Sequence, residues 1–341
     1  MKVKFTNLYK LIPNKSKIIK KVNYLIKNSN FIGGKEVINF ENNFKKFVKA
    51  KYCVSLANGT DALEIAISSL NLKKNSEVIV PVNTWISTAE AIVSNGLIPI
   101  FCDVNLSDYS ICVNDLKKKI TSKTKAIIIV HLYGIPSNIS EVKKLSVKNN
   151  IKIIEDCAQA HGTKFLNKHV GTFGNVGTFS FFPGKNLGGF GDGGAIVTNS
   201  SQIYKYALRA RNHGAIKKYD HKFSGRNSRL DTIQAAILRI KLKDYNKVLK
   251  VRNEYARIYF KLLSNIKNLT LLHLNNKNTH CFHQFVIRTN KRNELMKYLK
   301  KNKIQTMIHY PYMLNELKFF KSKEKLKNSY LLGKKILSLP I

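Results

Sequence analysis

Lys185 stands alone in "TFSFFPGKNLGGFGDGGAIVTN" (residues 178–199), a stretch apolar at both ends and rich in glycine between. A lysine packed among close-lying backbone loses its charge easily, and the neutral amine is a nucleophile or Schiff-base partner. A basic residue in a flexible turn reads the same way. Three other stretches carry groups of complementary chemistry. "SLANGTDALEIAI" (55–67) sets Asn58-Gly59-Thr60 before an apolar helix. Glycine admits close backbone approach, Thr60 can cap, and the free N–H groups at a helix start favour an anion. A phosphate cradle and an ordinary capped helix both fit that pattern. "EDCAQAHGT" (155–163) closes a buried strand with Glu155, Asp156, Gln159 and His161, and the stretch itself offers no lysine partner. Acids so placed take a cation from elsewhere or join a structural hydrogen-bond network. "NTWISTAEAI" (83–92) puts the sole tryptophan, Trp85, just after a strand, where its ring stacks on a planar ligand or fills core.

The elements that must position these groups follow from periodicity. "EVIVP" (77–81), "IPIFCDV" (98–104), "KAIIIVHLYG" (125–134) and "IKIIEDCAQA" (151–160) read as buried strands, alternating with helical stretches such as "TDALEIAISSL" (60–70) and "SEVKKLSVKNN" (140–150). This alternation predicts an α/β domain with a mostly parallel sheet, its functional groups at the carboxyl ends of strands. From Arg229 the pattern changes. "RLDTIQAAILRIKL" puts Leu230, Ile233, Ile237 and Ile240 on one helical face, and "CFHQFVIRT" (281–289) and "IQTMIHYP" (304–311) read as strands around a helical "KRNELMKYLKKNK". A second, smaller α+β domain results. The glycines of "GDGG" (191–194) are assigned to a tight turn.

Composition narrows the classes. The 341 residues are 44% hydrophobic and 23% charged, ordinary for a globular protein. Five scattered cysteines, without a CxxC pair, argue for reduced thiols and against a disulfide framework or a zinc site. No apolar run approaches membrane-spanning length, and the basic N-terminus lacks the apolar core of a secretory signal, so a cytoplasmic protein with no membrane partner is expected. The formal charge of +39 comes from 59 basic residues, only nine of them arginine. Lysines spread along the whole chain make a solvated coat, whereas nucleic-acid sites concentrate charge in a patch with arginine reading base edges; no specific nucleic-acid partner is expected. Five arginines do cluster, at 209, 211, 226, 229 and 239. Their forks suit a phosphate or carboxylate, and equally a set of structural salt bridges.

A phosphate cradle, an aromatic face, a strand-end carboxylate and an amine are together the four contacts that pyridoxal phosphate demands. The segments "FIGGKEVINFENNF" (31–44), "NGTDAL" (58–63), "NTWISTAEAI", "VHLYGIP" (130–136), "EDCAQAHGT", "SFFPGKNLGGFGDGG", "RNHG" (211–214), "GRNSRLDTIQAAIL" (225–238) and "IHYP" (308–311) resemble the DegT/DnrJ/EryC1/StrS family of pyridoxal-phosphate sugar aminotransferases. The resemblance covers nearly the whole chain and implies the aspartate-aminotransferase fold (fold type I). Its large domain carries a mostly parallel, seven-stranded sheet at 31–240, a smaller α+β domain follows at 241–341, and residues 1–30 pack on that small domain.

By the same resemblance, Lys185 forms a Schiff base with the cofactor and later shuttles a proton, and Asp156 pairs with the pyridinium nitrogen. Trp85 stacks on the ring, Gln159 reaches the phenolic oxygen, and Gly59, Thr60 and Ser180 hold the phosphate. Asn227 is donated to the partner subunit's phosphate, which implies a homodimer. His309 and Tyr310 border the sugar pocket, and Arg226 or Arg229 holds the donor carboxylate or the nucleotide phosphates. No metal is implied. The reaction implied is amino transfer from L-glutamate or L-glutamine to a nucleotide-linked keto-sugar, at carbon 3 rather than carbon 4, in amino-sugar and polysaccharide biosynthesis. Sugar dehydratases of the family have histidine where this chain has Lys185. Relatives continue through a histidine-proline pair and a final helix, whereas this sequence ends in "KKILSLPI", so either a shortened small domain or an incomplete sequence is expected. A carbocyclic ketone shares every cofactor residue and stays open as substrate. A non-catalytic regulatory protein on the same scaffold is disfavoured by the presence of Lys185 and Asp156.

Overall fold

The computed structural model describes residues 2–10, 12–320, 322, 324 and 326–341. The chain lays down β1 (Tyr52–Leu56), β2 (Glu77–Pro81), β3 (Ile98–Cys102), β4 (Thr124–Val130) and β5 (Lys152–Asp156). A short hairpin, β6 (Lys164–Phe165) and β7 (Lys168–His169), precedes β8 (Val176–Ser180) and β9 (Gly194–Thr198). Apart from the hairpin these form a seven-stranded sheet in the order β1-β9-β8-β5-β4-β2-β3. Only β9 runs against its neighbours; the pairs from β8 to β3 are all parallel.

Strands buried on both faces must be apolar at every position, and side-chain alternation then divides them between two cores. Val78 and Val80 of β2 join one cluster with Leu63, Ala89 and Ala207, while Ile79 joins the other with Phe40, Phe44 and Leu238. The first face is covered by α3 (Gly59–Ser68), α4 (Ser87–Ser94) and α7 (Ser201–Ala210), with α1 (Lys15–Lys27), α2 (Gly34–Val48), α5 (Val113–Lys119), α6 (Ile139–Lys148) and α8 (Thr232–Lys243) elsewhere in the fold. Of these, α2, α5, α6 and α8 pack on the second face. All of this places the carboxyl ends of β1, β2, β5 and β8 along one rim, each followed by a loop or helix start.

The second unit holds α9 (Tyr245–Leu263), β10 (Leu269–Leu271), β11 (Phe285–Thr289), α10 (Arg292–Lys301), α11 (Lys327–Lys335) and β12 (Ile336–Leu339). Its antiparallel sheet has the order β10-β11-β12. Here "IQTMIHYP" departs from the expected strand. Ile304 makes a lone bridge to Val3 and Met307 another to Ser338, and the chain then leaves the sheet toward the rim. The third strand is instead β12, from "ILSL". The strand expected over 281–289 begins only at Phe285, because Phe282 adopts φ 44 and turns the segment before it. β4 likewise stops at Val130, where Tyr133 (φ 58) and Gly134 (φ 85) fold the chain sharply.

The N-terminal residues meet the smaller unit through Val3, whose N–H donates to the Lys303 carbonyl at 2.9 Å. The helix after them does not: Ile18 of α1 packs on Ile237 and Ile240 of α8. α8 itself runs across the expected boundary at residue 240. Among the described residues, no helix is long and apolar enough to cross a membrane.

Candidate active site

Asp156 is the last residue of β5 and is buried. Its Oδ2 accepts from the Thr88 hydroxyl at 2.9 Å and its Oδ1 from the Ala158 N–H at 3.0 Å. Burial pushes its pKa above the usual carboxylate value, against the pull of those two donors and of the Lys185 charge. A carboxylate held this way, with no ion pair among the described residues, has unspent capacity for a cationic N–H. Lys185 keeps some contact with solvent, yet desolvation of its amine draws its pKa down to about 8, with Asp156 pulling the other way. A sizeable fraction of the amine is therefore neutral near physiological pH.

Two close approaches shape the start of α3, where the sequence leads one to expect an anion cradle. Asn58, not Thr60, caps α3, its side chain accepting from the Asp61 N–H at 2.8 Å. That leaves the Thr60 hydroxyl free to meet Ser87 Oγ at 2.8 Å. A Cβ on Gly59 would stand 2.7 Å from Ser180 Cβ, so the helix start is pressed against the end of β8. A Cβ on Gly194 would stand 2.1 Å from the Asn58 carbonyl oxygen. The "GDGG" glycines thus do not make the expected turn. None of them has positive φ, and Gly194 exists to let β9 pass beneath the cradle. The first N–H groups of α3 lack helical partners and carry the positive end of the helix dipole.

Aromatic and amide groups form one wall. Trp85 is 58% exposed, so it is not a core tryptophan, and its ring lies 5.8 Å from that of Tyr310. Gln159 Oε1 accepts from the Tyr133 N–H at 2.8 Å and its Nε2 donates to the Tyr310 hydroxyl at 3.1 Å, leaving one amide proton unspent. The Tyr133 hydroxyl donates to the His309 carbonyl, and His309 Nδ1 lies 2.9 Å from Ser338 Oγ. His309 and Tyr310 are thereby fixed beside Gln159, with the His309 imidazole drawn to about 4 by burial and then by the Lys185 charge.

The arginines are engaged elsewhere. Arg226 ion-pairs with Asp61 at 3.2 Å and with Glu64 on α3, which raises its pKa against the desolvation that lowers it. Arg229 donates Nε to Asn227 Oδ1 at 3.0 Å and Nη1 to Asn212 Oδ1 at 3.3 Å. Asn227 faces solvent on a loop pinned to β1 by the Ala57 N–H to Ser228 carbonyl bond of 3.1 Å. Arg211 bonds Glu41 and the Ser55 carbonyl. The arginine cluster is therefore largely a set of structural bridges.

Glu155 and Asp156 part company because successive strand residues face opposite sides. Glu155 points away from the amine and accepts from the N–H groups of Gly171, Phe173 and Gly174, each at 2.7 Å, and from His131 Nε2 at 3.1 Å. His131 Nδ1 accepts from the Ser137 N–H at 3.0 Å, so its proton sits on Nε2. With Cys157, these side chains place ligand-type atoms within 4.8 Å of one another, but the glutamate is already saturated with donors and burial pushes the thiol pKa up. His161 is a core residue between Phe179 and Phe181, its imidazole lowered to about 3 by burial. Thr88 was not singled out by sequence reading; its signal is its place one turn after Trp85 at the start of a helix.

The residues present fit pyridoxal phosphate: a buried acid with no salt bridge among the described residues, an amine whose pKa burial lowers, and a helix start packed too tightly for a Cβ. A model of the DegT/DnrJ/EryC1/StrS aminotransferase family matches residues 13–341. The chain is 40% identical over 325 residues to the dTDP-3-amino-3,6-dideoxy-alpha-D-galactopyranose transaminase of Aneurinibacillus thermoaerophilus, covering 94% of this chain and 88% of that one. It resembles the crystal structure of DesV from S. venezuelae in complex with a ketimine intermediate, with a TM-score of 0.97 and 31% identity over 100% of this chain and 93% of that one. A structure of NtdA from Bacillus subtilis with bound cofactor PMP matches with a TM-score of 0.93 and 28% identity, over 99% of this chain and 80% of that one. The chain belongs to the DegT/DnrJ/EryC1/StrS aminotransferase family, as an enzyme of fold type I that depends on pyridoxal phosphate.

Proposed function

We propose that this chain transfers an amino group from L-glutamate or L-glutamine to a nucleotide-linked keto-sugar, at carbon 3. The observation that carries the reading is the pairing of Lys185 with Asp156 across the rim: an amine whose pKa burial lowers to about 8, near a buried acid that makes no salt bridge among the described residues. The carbon assignment is supported by the Aneurinibacillus relative, a transaminase named for a 3-amino sugar.

Lys185 would hold the cofactor's aldehyde, Asp156 its ring nitrogen, and Gly59, Thr60, Ser180 and the first N–H groups of α3 its phosphate. Trp85 would flank the ring and Gln159 would use its remaining amide proton on the ring's oxygen. When bound, the cofactor supplies a carbonyl that accepts the donor's nitrogen and a ring that takes up an electron pair. Lys185 Nζ then has one task, to take a proton from carbon and return it, and a pKa near 8 suits an amine that must do both at neutral pH. Asp156 would keep positive charge on the ring nitrogen, and the donors Thr88 and Ala158 favour its ionised form against the burial that disfavours it. His309 and Tyr310 border the space left for the sugar. Arg229, with guanidinium donors to spare, is the better placed of the two arginines for an anionic group of the substrates, since Arg226 is taken up by Asp61 and Glu64. Asn227 would complete the phosphate site of a partner subunit in a homodimer.

Borohydride reduction in the presence of pyridoxal phosphate, followed by peptide mapping, tests the assignment. The adduct is expected on Lys185; an adduct on another lysine overturns it. Assays with L-glutamate and dTDP- or UDP-linked ketones then test the substrate. Turnover confined to 4-keto sugars overturns the carbon assignment, and turnover confined to a carbocyclic ketone overturns the sugar.

A further inference from the structure

Asn186 follows Lys185 directly, and the smaller unit grips its side chain. Asn186 Nδ2 donates to the Cys281 carbonyl at 2.8 Å, and Asn186 Oδ1 lies 3.1 Å from His283 Nδ1. A carbonyl only accepts, so the amide nitrogen must face Cys281 and the amide oxygen must face the imidazole. His283 Nδ1 therefore carries the proton and donates. Burial holds the His283 pKa well below its usual value, with the charges of Lys185 and Arg252 adding to that effect, so the ring is neutral and its Nε2 bare.

The gripping segment is itself anchored. Arg252 of α9 is buried and donates Nε to the Phe282 carbonyl and Nη2 to the His283 carbonyl, each at 2.9 Å. It meets no carboxylate among the described residues. A buried guanidinium spent wholly on two successive carbonyls is costly unless the position of that backbone matters. The Cys281 N–H also donates to the Gly134 carbonyl at 3.1 Å, and a Cβ on Gly134 would stand 2.5 Å from Cys281 Sγ, so the segment has no room to slide. A continuous line of bonds runs from α9 through residues 281–283 to Asn186.

We propose that Asn186 and His283 are positioning residues: a two-bond clamp through which the smaller unit holds Lys185 in place at the rim of the large sheet. The proposal rests on the reading of Lys185 as the reacting amine. Among the described residues, four titratable groups face that amine: Asp156 at the end of β5, His161 after it, and His283 and His309 from the smaller unit. A clamp of this kind keeps the amine desolvated among them; without it the glycine-rich loop lets Lys185 reach water, and its titration moves up toward that of a free lysine.

The test uses the cofactor-free protein. Competitive labelling with acetic anhydride, read by mass spectrometry across pH, gives the titration midpoint of Lys185, with the exposed Lys144 as reference. The wild-type midpoint is expected near pH 8, and Asn186→Ser and His283→Phe are expected to raise it by about one pH unit. His283→Asn, whose amide nitrogen falls near the place of Nδ1, is expected to restore it. His283→Gln, whose nitrogen falls near Nε2, is not. Thermal melts confirm that each variant folds, and the pair His283→Asn and His283→Gln carries the test if Asn186→Ser does not. An unchanged midpoint in His283→Phe, or equal midpoints for His283→Asn and His283→Gln, overturns the clamp. Borohydride trapping on a different lysine would instead remove the role of Lys185 while leaving the labelling result to stand, so the two failures are distinct.

Discussion

Gly59 lies so close to Ser180 that a methyl group added to it would stand 2.7 Å from the serine Cβ. The first turn of α3 and the end of β8 therefore share one surface, and the cradle exists only while residue 59 lacks a side chain. Gly59→Ala is expected to push the two apart. The overpacking costs about 1–3 kcal/mol of stability, and affinity for pyridoxal phosphate falls about tenfold or more as the N–H groups leave register. Gly184→Ala is the control: its Cβ would meet only the Phe182 ring edge at 3.3 Å, and that ring is exposed and can swing away. Absorbance titration with the cofactor and thermal melts separate the two. Equal affinities would mean that the helix start does not hold the phosphate.

Asp156 is expected to matter by charge rather than by shape. Asp156→Asn keeps an oxygen for the Ala158 N–H but removes the negative charge, and amino transfer is expected to fall about a thousandfold, roughly 4 kcal/mol. Because Asp156 pulls the Lys185 pKa up, the same variant should move the lysine's titration midpoint below 8. Thr88→Val removes only one donor to Oδ2 and is expected to cost about tenfold. An Asp156→Asn enzyme as fast as wild type, or a Lys185 midpoint that rises, would contradict the pairing.

Much of the frame was legible because it rests on local pattern. β2 follows "EVIVP" residue for residue, since five apolar or edge positions in a row suit only a strand covered on both faces. Lys185, Asp156 and the Asn58-Gly59-Thr60 start were legible as candidates only in combination, since each residue type alone also fits a turn, a hydrogen-bond network or a capped helix. What stayed hidden depends on contacts across the chain. The division between Glu155 and Asp156 needs the register of β5 in the sheet, and the cap of α3 turned on which of the two polar residues flanking Gly59 faced back to Asp61. Past its bridge from Met307 to Ser338, the segment 304–311 is held off the sheet by the Tyr133 hydroxyl on the His309 carbonyl, not by its own composition. Asn186 and His283 are 97 residues apart, and no spacing rule links them.

Glu155 offers a stability test independent of catalysis. Burial raises its pKa, but the His131 bond and the N–H groups of Gly174 and Gly171 outweigh that, and the net shift is downward. A carboxyl whose folded pKa lies below its unfolded value of about 4.3 adds stability above that pH and loses it as pH falls through the folded pKa. Glu155→Gln cannot satisfy four donors with one oxygen and is expected to cost about 3 kcal/mol at pH 7. In urea unfolding, the gap between wild type and variant should narrow as pH drops below about 4. A gap constant from pH 7 to 3 would mean that the carboxylate charge contributes nothing.

Asn227 is exposed, yet its loop is rigid, fixed by the Ser228 N–H to the Arg211 carbonyl at 2.9 Å and by Ala57 on the other side. A held, outward-facing amide suits a group lent to another subunit. In a dimer with exchanged residues, a chain carrying Lys185→Ala and one carrying Asn227→Asp fail for different reasons, the second because a carboxylate repels the phosphate. In a mixed dimer, one site receives both defects and the other receives neither. Refolding equal amounts together gives about half mixed dimers, each with one sound site, so activity should return to about a quarter of wild type. No recovery on mixing, with each variant shown by gel filtration to be folded and dimeric, would place Asn227 outside the partner's site. Full activity in a monomeric fraction would remove the need for a partner altogether.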